Sequence, residues 1–192
     1  MKVLVACEES QAVTMAFRAK GHEAYSCDLQ PCSGGHPEWH IKGDVIHQLY
    51  NDWDLVIAHP PCTRLANSGV RWLSERDLWA DMYDACEFFN HFQSLGKRGV
   101  KVGIENPIPH KYAVEYIGKY NQIIQPWQFG HPESKATCLW LYNLPELQPT
   151  DIVEGREQRI WKMPPGPNRT KERSKTFTGI ANAMAQQWGK LS

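Results

Sequence analysis

Short apolar runs that each stop at a chemically active residue constrain this chain more than anything else in it. Val3-Leu4-Val5-Ala6 stops at Cys7, Leu55-Val56-Ile57-Ala58 at His59-Pro60-Pro61-Cys62, and Val102-Gly103-Ile104 at Glu105-Asn106-Pro107. Helical periodicity fills the intervals. Gln11 to Lys20 reads as a helix with Gly21 as its C-cap, and Ser74 to Leu95 as a long one with Leu78, Met82, Ala85, Phe89 and Phe92 on one face. Further strands are predicted at Glu23 to Ser26, Gln122 to Trp127 and Ala136 to Leu141, and further helices at Lys111 to Ile117 and Ala181 to Trp188. The Pro-, Gly- and His-rich stretch from Leu29 to Lys42 reads as a loop. Strands alternating with helices predict an α/β fold, a mostly parallel sheet with helices on both faces. Such sheets bind ligands at the carboxyl ends of their strands. Cys7, Asp28, Asp44, Cys62 and Glu105 all fall at or just past predicted strand ends, so the chemistry is expected on one edge.

Composition sets the outer limits. With 192 residues, 42% of them hydrophobic and 22% charged, the chain reads as a single globular domain over 1–192. No apolar stretch is long enough to span a membrane. Six cysteines without a Cys-x-x-Cys pair fit neither a zinc site nor a disulfide framework, so a reducing cytoplasm is expected. A net charge of +0 excludes a strong global attraction to nucleic acid and leaves room for a local basic surface.

Lone cysteines are most often small core residues, and Cys7, Cys27, Cys86 and Cys138 read that way. Cys62 differs, because two prolines present it at a rigid turn and polar Thr63, Arg64, Asn67 and Ser68 follow it. A thiol in such a place becomes a nucleophile when a cation raises its thiolate fraction, and Arg64 is the candidate cation. Glu105 leaves the sheet at a partly buried site, where burial is expected to raise its pKa and let it share a proton near neutrality. The plainer reading makes Asn106-Pro107 a helix start and Glu105 a satisfier of backbone donors. Asp28, just past the second strand, is where a nucleotide-binding α/β domain places an acid for ribose hydroxyls. Gly43-Asp44 on its own is a turn signal.

Taken together, Pro60-Pro61-Cys62, Glu105-Asn106 and Phe129-Gly130-His131-Pro132-Glu133-Ser134-Lys135-Ala136-Thr137 resemble the DNA cytosine-5 methyltransferases, as does the Thr178-to-Ala185 segment. The resemblance is to a compact, phage-like member of that family. It implies a Rossmann-like fold that uses S-adenosylmethionine, with no metal. It implies Cys62 as the nucleophile that adds to C6 of cytosine and Glu105 as the group engaging N3 and the amino group. The cofactor is then expected against Cys7, Glu8, Asp28, Asp44, Pro60 and Asn182. The third motif departs from the family's aromatic-Gly-x-Pro-Gln-x-Arg-x-Arg pattern: Glu133 replaces Gln, Lys135 the first Arg and Thr137 the second. Lys is a point donor and Thr carries no charge, so Lys135 inherits the contact to the base oxygen in this reading.

Family members that read sequence carry a recognition domain before the closing segment. Here a short basic Pro/Gly-containing insert, 146–175, stands in its place. Arg156, Arg159, Arg169 and Arg173 lie in it beside Trp161, a composition suited to phosphate contacts and stacking without sequence readout. With Arg64 and Ser68 near the cysteine, and Trp72 as a stacking candidate, they form the expected nucleic-acid surface. DNA, single-stranded included, is the expected partner. Three alternatives stay open: the same chemistry on a free pyrimidine nucleotide, an inactive fold that binds DNA or a partner, and an amino-methyltransferase, whose motif needs an aromatic where Cys62 stands.

Overall fold

The computed structural model describes residues 1–166 and 169–191, which leaves Pro167 of the Pro-Pro-Gly-Pro stretch outside it. Seven strands form one sheet: β1 (Lys2–Ala6), β2 (Glu23–Asp28), β3 (His40–Lys42), β4 (Leu55–Ala58), β5 (Lys101–Pro107), β6 (Gln122–Ile124) and β7 (Thr137–Tyr142). Their order is β3-β2-β1-β4-β5-β7-β6. The first five pair in parallel, and β7 runs antiparallel to both of its neighbours. Helices α1 (Ala12–Ala19), α2 (Arg71–Glu75), α3 (Trp79–Lys97), α4 (Lys111–Ile117), α5 (Arg159–Lys162), α6 (Arg169–Ser174) and α7 (Thr178–Gln187) complete the chain. This is the Rossmann-like α/β fold, a mostly parallel sheet with helices on both faces, that the sequence led us to expect.

The two central strands are apolar at nearly every position because both of their faces are covered. Side chains alternate across them. Val3, Val5, Leu55 and Ile57 pack under α1 and α7 with Phe17, Met184 and Trp188. Leu4, Ala6, Val56 and Ala58 pack on the other face with Phe89 and Phe92 of α3. Gly21 ends the first helix in the left-handed region, at φ 81°, as its residue type predicts.

Three local expectations are corrected. The single helix predicted over 74–95 is two, because Asp77 at φ 50° and a Leu78 N–H bond back to the Leu73 carbonyl, 2.9 Å, close off α2. The loop predicted to Lys42 ends in a strand: Ser26 Oγ lies 2.8 Å from His40 Nδ1 as β3 pairs with β2. The strand at Lys101 continues through Pro107, so Asn106-Pro107 starts no helix. His110 caps α4 instead, its Nδ1 accepting from the Ala113 N–H at 3.0 Å.

The first turn of α7 presses on the chain before β7, and a Cβ on Gly179 would collide with the Phe129 carbonyl oxygen. That neighbour is backbone and cannot rotate away. Gly179→Ala is therefore expected to destabilise the fold by about 1–3 kcal/mol. Thermal unfolding checks this, with a fall in Tm of about 2–4 °C per kcal/mol for a chain of this size; an unchanged Tm would mean that α7 docks with more freedom than its packing shows.

Candidate functional site

The carboxyl ends of β1, β2, β4 and β5 open onto a cavity of about 280 Å³ at the point where the strand order turns from β1 to β4. This is the crevice in which open α/β sheets hold their ligands. Cys7, Glu8 and Glu9 reach it from β1, Asp28 from β2, His59 to Thr63 from β4, and Glu105 to Pro107 from β5. Lys135, Arg173, Ser174 and Thr176 close it from the far side.

Parallel pairing sets its central contact. Ala58 opposes Ile104, so the next residues, His59 and Glu105, stand side by side. His59 Nδ1 lies 2.8 Å from Glu105 Oε2, and the two side chains are 10% and 12% exposed. Burial alone would lower the imidazole's pKa, but the hydrogen bond and charge of Glu105, with Glu8 behind, hold it above the ordinary range. Burial would likewise raise Glu105, yet the bond and charge of His59, with Lys135, hold its carboxyl below the usual value. The expectation of a raised Glu105 is thus corrected: the pairing lowers Glu105 and raises His59, which favours the proton on the imidazole.

Cys62 sits in a tight turn whose carbonyl accepts from the N–H groups of Leu65 (3.0 Å) and Ala66 (2.9 Å). Asn106, 2% exposed, straps this turn to β5 by donating from Nδ2 to the Pro60 carbonyl at 2.8 Å. The strap explains how Pro60 and Cys62 keep a fixed place beside Glu105. The Cys62 thiol is pushed up by burial first and by the Glu105 carboxylate second, against the weaker pull of Lys135 and Arg173. So the resting group is a thiol, not the thiolate-enriched one expected. Arg64 is not the cation near it, because its guanidinium pairs with Asp81 of α3 at 3.1 Å.

The candidate cofactor residues divide. Cys7 is not a core residue like Cys27, Cys86 and Cys138; it lines the cavity in a left-handed turn at φ 59°. Asp28 lines the cavity and accepts from the Gln30 N–H at 2.8 Å. Glu8 is 4% exposed and turns inward, where its two oxygens accept from the Val13 N–H (2.6 Å), the Thr14 N–H (3.2 Å) and the Thr14 hydroxyl (2.7 Å). It caps α1 in place of Gln11, whose side chain makes no cap. Glu9 Oε2 is buried without a hydrogen-bond partner, 3.4 Å from Lys171 Nζ. Asp44 stands outside the cavity lining, accepting from the Ile46 N–H at 2.9 Å. Asn182 lies on the exposed side of α7, also outside the lining.

The candidate nucleic-acid residues are scattered in the same way. Arg156 stacks over Trp127 at 3.8 Å, Arg159 pairs with Glu133 at 2.8 Å, and Arg169 donates to the Met163 carbonyl at 2.9 Å. Only Arg173 of this group lines the cavity. Ser68 is exposed beyond the Cys62 turn. Trp72 is no open stacking platform, because Arg71 and Arg76 lie over its ring at 4.2 and 4.0 Å. Trp161 is 70% exposed on α5. The insert is more than a solvated linker, since Leu147 and Ile160 are buried.

Sequence reasoning missed His59, and missed Asn106 as a strap. The signal for His59 is its parity: it continues the Leu55, Ile57 face of β4, as Glu105 continues the Gly103 face of β5. Thr176 had no signal at all.

No protein-family model matches the chain, and no curated protein matches it. Among solved structures the chain is similar to a methyltransferase of Entamoeba histolytica, at 14% sequence identity and a TM-score of 0.48. That likeness covers 81% of this chain and 56% of the other, so the chain spans little more than half the length of that protein.

Proposed function

We propose that the protein transfers a methyl group from S-adenosylmethionine to C5 of a cytosine in DNA, through a covalent adduct at Cys62. One observation carries the reading: Cys62, Glu105 and Lys135 share one cavity at the switch point of the sheet. The cofactor fits the donor set. A helix N-terminus at such a point ordinarily takes a phosphate, but here the Glu8 carboxylate fills it from within. What remains on that side is the Asp28 carboxylate, Glu9 being paired with Lys171 at 3.4 Å. The Asp28 carboxylate suits a ligand with ribose hydroxyls and a positive charge. When bound, S-adenosylmethionine supplies a methyl group already activated as a sulfonium.

The chain's own residues then do the acid–base work. The Cys62 sulfur bonds to C6 while the thiol proton passes by way of the Glu105 carboxylate to N3. This leaves C5 electron-rich and able to take the methyl group. Loss of the C5 proton to solvent, cleavage of the S–C6 bond and return of the N3 proton to the sulfur by way of Glu105 restore the base and the thiol. Lys135 supports the base oxygen in place of the arginine that the resemblance implies; Thr137, 4% exposed at the start of β7, lines a small void shared with Glu105 and Lys135 and carries no charge.

A second reading has a specific observation behind it. Most arginines of the insert are occupied within the chain, which leaves Arg173 as the one among them that lines the site and favours a substrate no larger than a cytosine nucleotide.

Cytosine carrying fluorine at C5 tests the chemistry, because the adduct then has no proton to lose. Wild type is expected to give a denaturation-stable adduct and Cys62→Ser none; an equal band from Cys62→Ser removes the proposal. Asp28→Asn should weaken S-adenosylmethionine binding by about 1–3 kcal/mol, read by calorimetry. Substrate size separates the two readings. On DNA, affinity should fall steeply as salt rises; equal turnover of deoxycytidine nucleotides, indifferent to salt, selects the nucleotide.

A further inference from the structure

His59 is a costly residue to place where it is. Its side chain is nine-tenths buried, it bonds one carboxylate through Nδ1, and its other ring nitrogen, Nε2, is buried with no hydrogen-bond partner. With the proton on the ring, Nε2–H is a buried donor left unsatisfied, at a cost of about 1–3 kcal/mol. The charged groups acting on it come from every side of the pocket floor: Glu105 on β5, Glu8 at the end of β1, and Lys135 just before β7. Burial pushes the Glu8 carboxyl up, so Glu105, at 2.8 Å, is the carboxylate that acts on His59 most directly. The neighbouring sites are already spent, because both Glu8 oxygens hold the start of α1.

We propose that His59 is a positioning residue for Glu105: it fixes the carboxylate beside Cys62 and holds the proton that keeps the pair neutral overall. The inference rests on the reading in which Glu105 works on the substrate, and its first test does not. Glu105 alone at this depth would take up a proton, because burial penalises its charge. With His59 in place the carboxylate stays ionised and free to accept the thiol proton. His59 touches neither the base nor the sulfur in this arrangement and acts through Glu105.

The ring titration of ¹⁵N-labelled His59, followed by NMR in the ligand-free full chain, reads the pair directly. In wild type the ring should titrate above the ordinary value of 6.5. In Glu105→Gln it should fall below wild type, because burial then acts with less opposition. An identical titration in both proteins overturns the proposal, and so does a ring already neutral in wild type at pH 6.5.

The second test follows adduct formation at Cys62 against pH. Loss of the imidazolium raises the pKa of Glu105, so the acid limb of the profile should move to higher pH in His59→Gln. The neutral rate should fall by roughly tenfold or more, as when groups that orient an active side chain are removed. Gln fills similar space and can donate a hydrogen bond without charge. If His59→Gln keeps the wild-type limb and rate, the charge has no role and the proposal is wrong. A wild type that forms no adduct defeats the proposed chemistry instead, and the ring titration still decides the pair.

Discussion

The parallel pairing of β4 with β5 is the constraint on which the site depends. Its register, Ala58 against Ile104, decides that His59 meets Glu105 and that Pro60 comes within reach of Asn106. A one-residue slip would send each side chain to the opposite face of the sheet. That slip is blocked by the core, because Val56 and Ala58 must face α3 while Leu55 and Ile57 face α1 and α7. The geometry of the reactive loop is thus set by hydrophobic packing two and three residues upstream.

Electrostatics then divide the cavity. Glu8 satisfies the first N–H groups of α1 and removes the positive helix end from the ligand's view. The cavity wall near β1 and β2 is left acidic through Asp28, Glu9 being paired with Lys171, while Lys135 and Arg173 make the opposite wall basic. Between them the His59–Glu105 pair contributes almost no net charge but a strong local dipole. A buried pair of this kind adds little net stability, since desolvation offsets its attraction. Its worth lies in fixing which group holds the proton.

Much of this was legible in the sequence, and what was not has physical reasons. The parallel fold, the place of Cys62 just past a strand, and Gly21 as a helix stop follow from periodicity and residue type, whereas Glu105, expected to leave the sheet, stays inside β5, paired with Leu139 of β7. The sign of the Glu105 shift did not follow. It depends on a cross-strand neighbour, and register is invisible until the two strands are paired. Arg64 failed for a similar reason: proximity in sequence to Cys62 counted for less than the Asp81 carboxylate on α3. Asp44 and Asn182 sit where the motifs suggest in chain order, yet the lining of the cavity passes them by. The break between α2 and α3 turns on a left-handed Asp77, which a continuous apolar stripe conceals.

The resting Cys62 thiol fits this division of labour. A free thiolate in an accessible cavity would be open to oxidation, because thiolate character governs that reactivity. Burial and the adjacent Glu105 charge keep the proton on sulfur, while Lys135 and Arg173 set a field in the other direction. On the proposed reading, the base supplies what the empty cavity lacks, a ring nitrogen that receives the proton as the sulfur attacks. The same carboxylate that holds the thiol protonated at rest is then the group that relays the proton away. Glu105 therefore restrains the nucleophile without substrate and releases it with one, and His59 keeps it ionised in both conditions.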